Sequence, residues 1–123
     1  MIYEFCAENV TLLEKAMEAG ARRIELCDNL AVGGTTPSYG VTKAAVELAA
    51  NYDTTIMTMI RPRGGDFVYN DLEIAIMLED IRLTAQAGSQ GVVFGALTAD
   101  KKLDKPNLEK LITASKGMEI VFH

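Results

Sequence analysis

Two glutamate and cysteine pairs recur at a fixed spacing near the start of this 123-residue sequence. Glu4-Phe5-Cys6 and Glu25-Leu26-Cys27 show the same pattern 21 residues apart. If both segments are β-strands, side chains alternate between the two faces of the sheet, so all four polar side chains would lie on one face. Two thiols on one face suit Cu(I) or Zn(II), and Cu(I) accepts few ligands. Cys6 and Cys27 are therefore candidate metal ligands, with packing as the alternative because free cysteines are commonly buried.

A second group of residues could bind an anion. The stretch 61–66, Arg-Pro-Arg-Gly-Gly-Asp, places two guanidiniums beside a proline of fixed φ and glycines that let a ligand approach the backbone. We expect Arg61, Arg63, Gly64 and Gly65 to bind ligand. In the alternative interpretation, the glycines form tight turns and the arginines form ion pairs with Glu4, Glu25 or Asp66.

The loop 33–40 offers hydroxyl and backbone N–H groups ahead of a helix N-terminus, where anions bind readily. Ser38 is the residue of this loop that we expect to contact a ligand. The glycines of the loop could equally serve turns alone.

Three residues are candidates for proton transfer: Glu4, Glu25 and His123. A carboxylate inside a barrel is costly unless it is paired or used, and Arg61 is the expected partner of both glutamates. His123 is the only histidine, and its position at a strand end would suit a general base, a metal ligand or a hydrogen-bonding anchor.

The elements that position these residues alternate along the chain. Five β-rich runs are separated by four helix-period runs, which predicts an α/β fold with a parallel sheet. The predicted strands are 2–6, 23–27, 55–60, 91–97 and 118–123. The predicted helices begin after Asn9, near Val41, after Asn70 with Glu73 as a capping box, and at Pro106.

Alternation within the first two strands favours a TIM-type βα barrel over an open, doubly wound sheet. Helices can cover only the apolar face of Tyr3, Phe5, Ile24 and Leu26, so the polar face must line an interior. Because a closed barrel takes about 200 to 250 residues, the sequence predicts a half-barrel of four βα units and a fifth strand. We expect residues 1–123 to form a single domain. Its open edges, with Met57, Met59 and Val121 exposed, would favour homo-oligomers or other association.

Composition excludes several classes of function. A formal net charge of −5 has the wrong sign for binding nucleic acid. No apolar run is long enough to span a bilayer, and the first residues lack the layout of a signal peptide. We therefore expect a cytoplasmic protein. Two cysteines are too few for a disulfide framework, and in a reducing compartment we expect them to be free thiols. No pattern indicates an organic cofactor.

Motifs throughout the chain resemble the CutC family, named for copper homeostasis. The resemblance rests on Glu4-Phe5-Cys6, Arg23-Ile24-Glu25-Leu26-Cys27, the stretch 33–40, the stretch 60–69, Val92-Val93-Phe94-Gly95 and Phe122-His123. It implies a TIM-type barrel of which this chain is the N-terminal half, a cytoplasmic location, and a Cu(I) role for the cysteines at positions 6 and 27.

Three functional hypotheses remain open from the sequence. The first is copper homeostasis through Cu(I) binding at Cys6 and Cys27. The second is a barrel enzyme acting on a small phosphorylated or carboxylated molecule, held by Arg61 and Arg63. The third is a non-catalytic barrel used for interaction.

Overall fold

The computed structural model describes residues 4–123. In chain order its elements are β1 (Glu4–Glu8), α1 (Leu13–Glu18), β2 (Arg23–Cys27), α2 (Tyr39–Ala49), β3 (Thr55–Met59), α3 (Asp71–Gln86), β4 (Gly91–Phe94), α4 (Lys105–Ala114) and β5 (Glu119–Phe122). All strand pairs are parallel, in the order β1-β2-β3-β4-β5. The predicted α/β fold with a parallel sheet is confirmed; Ile2 and Tyr3 lie outside the described residues.

The helices α2, α3 and α4 each begin directly after a residue whose side chain caps them, namely Ser38, Asn70 and Asp104. Asn70 and Glu73 form the predicted capping box on α3, in which each side chain accepts a hydrogen bond from the other residue's backbone. The prediction for α1 was wrong, because that helix begins at Leu13 and not directly after Asn9. Asn9 instead continues the β1 ladder by donating to the Cys27 carbonyl, and both Asn9 and Leu12 adopt positive φ.

The two faces of the sheet have different neighbours. Ile24 and Leu26 pack with helix residues such as Leu13 and Ala45, and β4 packs in the same way against α3 and α4. The opposite face carries a separate buried cluster drawn from strands alone, namely Cys27, Met57, Met59 and Val93. Helices therefore cover one face, as the alternation of apolar and polar residues predicts.

The prediction that Met57, Met59 and Val121 are exposed on this inner face was wrong. Met57 and Met59 are buried, and Val121 is partly buried against them. The strands curve enough for the inward side chains to cover one another. Gly91 contributes to this packing, because a Cβ at that position would overlap the Met57 side chain.

An arginine that spans the interior provides a measure of the curvature. Arg23 on β2 contacts Glu4 of β1 at 2.9 Å and Glu119 of β5 at 2.8 Å. In a flat sheet β2 and β5 would lie about 14 Å apart, at about 4.8 Å per strand. The contact requires the strongly curled sheet of a half-barrel.

Among residues 4–123, no helix has the length and apolar character needed to cross a membrane.

Candidate functional site

Inward side chains form three groups along the strand direction. The lower level, at the amino ends of the strands, contains Glu4, Arg23 and Glu119. The middle level contains Cys6, Glu25 and Cys27, beside Met57 and Met59. The upper level, at the carboxyl ends, contains Arg61, Gly95 and His123. Active sites of parallel barrels lie at the carboxyl ends, which draws attention to the upper level.

At the lower level, Glu4 has a different partner from the one predicted. Its carboxylate pairs with Arg23, whereas no carboxylate of the described chain lies within ion-pair distance of Arg61. Arg23 itself pairs in register with Glu4, so the ion pair is local to the amino ends of β1 and β2. Glu4 is thus far from the upper level, and the expectation that Arg61 pairs with Glu4 and Glu25 was wrong for both glutamates.

The middle level brings the two cysteines to the same face of neighbouring strands. Cys6 pairs in register with Glu25, and Cys27 lies two residues further along β2. The Cys27 side chain is only 2% exposed and its Sγ donates to the Ala7 carbonyl at 3.5 Å, whereas Cys6 is exposed. Gly34 adopts a φ of +96°, and a Cβ there would stand 3.3 Å from the Cys27 Sγ. The loop after β2 therefore closes over the buried thiol.

Both thiols are held in the protonated form. Burial, reinforced by Cys6 and by the Glu25 carboxylate, raises the pKa of the Cys27 thiol to about 11. Partial burial, Glu25 and Glu4 also raise the pKa of Cys6. Glu25 has no hydrogen-bonding or ion-pair partner among the described side chains, so its charge acts on the thiols through space.

As a metal site, the middle level fits only a soft ion of low coordination number. Within residues 4–123, no three His, Cys, Asp or Glu side chains are grouped closely enough to hold a metal ion. Cys6 and Cys27 alone match the two-sulfur set that Cu(I) tolerates, and Met59 lies in the buried cluster with Cys27. Binding would have to displace protons from both thiols.

The upper level is organised around the Arg61 side chain, which is 4% exposed. Its Nη1 donates to the carbonyls of Val32 at 2.6 Å and Gly34 at 3.0 Å, and its Nη2 donates to the carbonyl of Gly65 at 2.8 Å. One guanidinium therefore fastens the loop after β2 to the loop after β3. The Arg61 backbone adds to this, since its N–H donates to the Thr36 hydroxyl at 2.8 Å.

Two polar atoms of this level are buried without a hydrogen-bond partner in the described structure: the Nε of Arg61 and the hydroxyl of Tyr69. Burial raises the pKa of Tyr69, although the positive charges of Arg61 and Arg63 oppose the shift. Buried polar groups left unpaired are uncommon and call for an explanation. Here the unpaired atoms accompany a buried positive charge that contacts backbone carbonyls and no carboxylate among the described residues.

Arg63 is already engaged by acidic side chains. Its Nε contacts Glu73 at 2.5 Å, its Nη2 contacts Asp66 at 3.1 Å, and its guanidinium lies 5.1 Å from the centroid of the Tyr69 ring. The ion pair and the capping hydrogen bond lower the pKa of Glu73 and keep it ionised. Arg63 thus joins the loop after β3 to the start of α3, and the alternative prediction of an ion pair with Asp66 is confirmed.

The remaining predicted ligand-binding residues have structural partners. The Ser38 hydroxyl accepts from the Val41 N–H at 3.1 Å and caps α2. The Gly65 carbonyl is taken by Arg61, and Gly64 packs so closely on Val32 that an added Cβ would stand 3.0 Å from its side chain. A ligand role for these three residues remains a prediction.

Phe67 connects Arg61 to His123. Its ring centroid lies 4.9 Å from the Arg61 guanidinium carbon and 4.8 Å from the His123 ring, which it meets edge to face. Burial, and then the charge of Arg61, lowers the pKa of His123, so the imidazole is neutral at neutral pH. It can therefore accept a proton or a hydrogen bond at one nitrogen. A cavity of about 160 Å³ adjoins His123 and Phe67.

Sequence reasoning gave no role to Phe67, Tyr69 or Arg23. The two aromatics directly follow the glycine-rich stretch that was singled out, so their position in that motif was a usable signal. The role of Arg23 depends on the curvature of the sheet, and no local pattern indicates it.

These observations define a class of protein: a parallel βα half-barrel whose polar groups gather inside the sheet and at its carboxyl edge. The CutC family model matches residues 1–123, and the chain belongs to the CutC family.

Three similar proteins are each longer than this chain. A CutC family protein of Streptococcus pyogenes is 55% identical over all 123 residues, which make up 59% of its length. A relative from Bacteroides fragilis is 44% identical over 122 residues, or 48% of its length. The crystal structure of the putative copper homeostasis protein CutC from Streptococcus agalactiae superimposes with a TM-score of 0.95 at 50% identity, covering all of this chain and 59% of that one. The chain thus spans about half to three-fifths of these relatives.

Proposed function

We propose that the upper level binds a small anionic molecule, carboxylated or phosphorylated. The observation that supports this proposal is the buried guanidinium of Arg61, which has no carboxylate partner among residues 4–123. A buried charge without a counter-ion is costly, and carbonyl dipoles offset only part of that cost. An anion near Arg61 would supply the missing charge.

The neighbouring groups suit such a ligand. The neutral imidazole of His123 can donate one hydrogen bond or accept a proton, and the Phe67 ring lies against the arginine, 4.9 Å from its guanidinium carbon. Arg63 contributes indirectly, because its ion pairs with Glu73 and Asp66 hold the loop in place. Glu25 lies about 13 Å below along the strand, since its register partner Met57 precedes Arg61 by four residues. We therefore assign His123, and neither Glu25 nor Glu4, to any proton transfer.

Thermal-shift and calorimetric titrations of the chain test this proposal. Inorganic phosphate and malonate would be compared with sodium chloride at equal ionic strength, and we expect stabilisation by at least one of the two anions. Arg61→Lys keeps the charge but removes the planar donor set, and His123→Asn removes the imidazole; each should weaken binding about tenfold or more.

Arg82→Gln is the matched control, because Arg82 is exposed and, among residues 4–123, its ion-pair partner is Glu79 on α3 alone. It should leave anion binding unchanged. Equal responses of the unsubstituted chain to phosphate, malonate and chloride would refute the proposal, as would Arg61→Lys binding as tightly as Arg82→Gln.

A second function is favoured by the middle level: Cu(I) binding in copper homeostasis. Its support is the placement of Cys6 and Cys27 on one inner face beside Met57 and Met59, together with the name of the Streptococcus agalactiae relative. Both thiols begin protonated, so coordination of one Cu(I) by both should release about two protons. The free thiols agree with a cytoplasmic location, which belongs to this proposal.

Anaerobic Cu(I) titration against a chromophoric competitor, with proton release followed in weak buffer, tests the second function. Cys6→Ser and Cys27→Ser should each lower the affinity strongly, and Met59→Leu should lower it less. Met118→Leu, on the helix side of the sheet, is the control. If the double cysteine variant binds Cu(I) as the unsubstituted chain does, the thiols have no part in copper binding.

A further inference from the structure

The cavity of about 160 Å³ beside His123 has a wall made mainly of hydrocarbon. It lies at the carboxyl end of β4, between the loop that follows this strand, the start of α4 and the end of β5. Of the described residues that line it, His123 is the one with a polar side chain. The hydrocarbon side chains of the wall are Phe67, Ala96, Leu97, Leu103, Leu108 and Phe122. The cavity is therefore an apolar compartment with one polar end.

Backbone groups on two sides of the cavity are already paired within the protein. The Leu97 N–H donates to the Phe67 carbonyl at 2.8 Å, and the Asp104 N–H donates to the Ala96 carbonyl at 3.1 Å. A hydroxyl group placed in the cavity would lose its hydrogen bonds to water and find few partners, which costs free energy. The wall therefore suits a hydrocarbon group and disfavours a sugar.

The polar end of the cavity belongs to the upper level. The Phe67 ring centroid lies 4.8 Å from the His123 ring and 4.9 Å from the guanidinium carbon of Arg61. A Cβ on Gly95 would stand 3.0 Å from the His123 carbonyl oxygen, so this glycine lets the ends of β4 and β5 lie close together. An anion bound at His123 would therefore border an apolar cavity.

The volume of the cavity limits what it can hold. A cavity of about 150 Å³ lined by aliphatic and aromatic side chains stays dry and binds benzene. The cavity beside His123 has nearly the same volume and the same kind of lining. It should therefore accept a group of about the size of a phenyl ring or a short branched chain.

We propose that the upper level selects monocarboxylates that carry a compact hydrocarbon group. The carboxylate binds at His123 and Arg61. The hydrocarbon group fills the cavity, in contact with Leu103 and Leu108. This inference rests on the anion binding proposed above and narrows it to one class of acid. Leu103 contributes to the selectivity at the rim, since it lines the cavity and is 63% exposed.

Calorimetric titration of the 123-residue chain with sodium acetate, butanoate, phenylacetate and gluconate at constant ionic strength tests this inference. Each methylene removed from water should tighten binding about fourfold, so butanoate should bind about tenfold tighter than acetate. Phenylacetate should bind at least as tightly as butanoate, because its ring fills the cavity. Gluconate, a hydroxylated acid of the same charge, should bind no tighter than acetate.

A substitution at the rim tests where the hydrocarbon group lies. Leu103→Gln keeps the approximate size of the side chain and makes the rim polar, so the ratio of phenylacetate to acetate affinity should fall at least about fivefold. Ile112→Gln is the matched control, because Ile112 is exposed on α4 and does not line the cavity. It should leave the ratio unchanged.

NMR locates the ligand without any substitution. The phenyl protons of bound phenylacetate should show nuclear Overhauser contacts to the methyl groups of Leu103 and Leu108. The methyl groups of Leu30, which is exposed in the turn after β2, should show none.

Failure of this inference can be told apart from failure of anion binding. If acetate, phenylacetate and gluconate bind alike and Arg61→Lys weakens all three, the anion site stands and the hydrocarbon selectivity is refuted. Phenylacetate that contacts neither leucine, or an unchanged affinity ratio in Leu103→Gln, also overturns the inference. If none of the carboxylates binds and neither phosphate nor malonate does, the anion site fails and the inference fails with it.

Discussion

Replacing Arg61 by methionine tests whether this side chain organises the carboxyl edge of the sheet. Methionine retains most of the apolar stem and removes three hydrogen bonds from the guanidinium to the carbonyls of Val32, Gly34 and Gly65. A hydrogen bond to a charged group contributes about 1.5 to 3 kcal/mol. Relief of a buried charge and hydration of the freed carbonyls offset part of the loss. We therefore expect the free energy of unfolding to fall by about 3 kcal/mol.

Urea unfolding followed by circular dichroism measures this change. With an m-value of about 1 to 1.5 kcal/mol/M for a chain of this size, the midpoint should fall by about 2 to 3 M. Arg82→Met is the control, because exposed ion pairs contribute at most about 1 kcal/mol. A loss below about 1 kcal/mol for Arg61→Met, or one equal to that of the control, would show that the carbonyl contacts do not fasten the two loops.

Three further predictions concern individual levels of the interior. Folding raises the pKa of Cys27 to about 11, so the contribution of its protonated thiol to the free energy of unfolding should be complete below about pH 9 and should decline as the pH rises toward 11. Urea unfolding at several pH values should show this decline, on the order of 2 kcal/mol. The decline should be missing in Cys27→Ala. The pKa of His123 is lowered, so the midpoint of its NMR titration should lie below 6.5. The contribution of the neutral imidazole to the free energy of unfolding should fall as the pH drops below 6.5 and through the folded-state pKa. Arg61→Met removes a positive charge that lowers this pKa, so it should move the midpoint upward. A double-mutant cycle of Arg23→Gln and Glu119→Gln should give a coupling free energy of about 0.5 to 1 kcal/mol, whereas zero coupling would mean that the contact across the interior contributes nothing.

The fold could be predicted from the sequence where short-range patterns determine it. Alternation of apolar and polar residues in β2 indicated which face helices cover, and Asn70 with Glu73 marked the start of α3. Prediction failed at α1, because the left-handed backbone at Asn9 and Leu12 depends on the β1 ladder continuing beside β2. That pairing joins segments about 20 residues apart and leaves no local signature.

The sequence could predict which residues form the candidate site, but not which residues they contact. Arg61 and His123 were singled out by type and position, and the structure places both at the carboxyl edge. The expected pairing of Arg61 with Glu4 failed because strand register, which a single sequence does not reveal, places Glu4 beside Arg23. Burial of Met57 depends likewise on the curvature of the whole sheet and on the space that Gly91 leaves.

The distance between the middle and upper levels makes the two proposed functions separable. Cys27 and Met59 lie below the loop that Gly34 brings over the thiol, while Arg61 holds that same loop from above through the Gly34 carbonyl. Substituting Cys27 should therefore lower the Cu(I) affinity strongly and leave anion binding intact, because no anion contact passes through the thiol. Substituting Arg61 should impair anion binding and, by releasing the loop that packs on Cys27, should make that thiol more accessible. This asymmetry distinguishes two neighbouring sites that share one loop from a single site that uses both sets of residues.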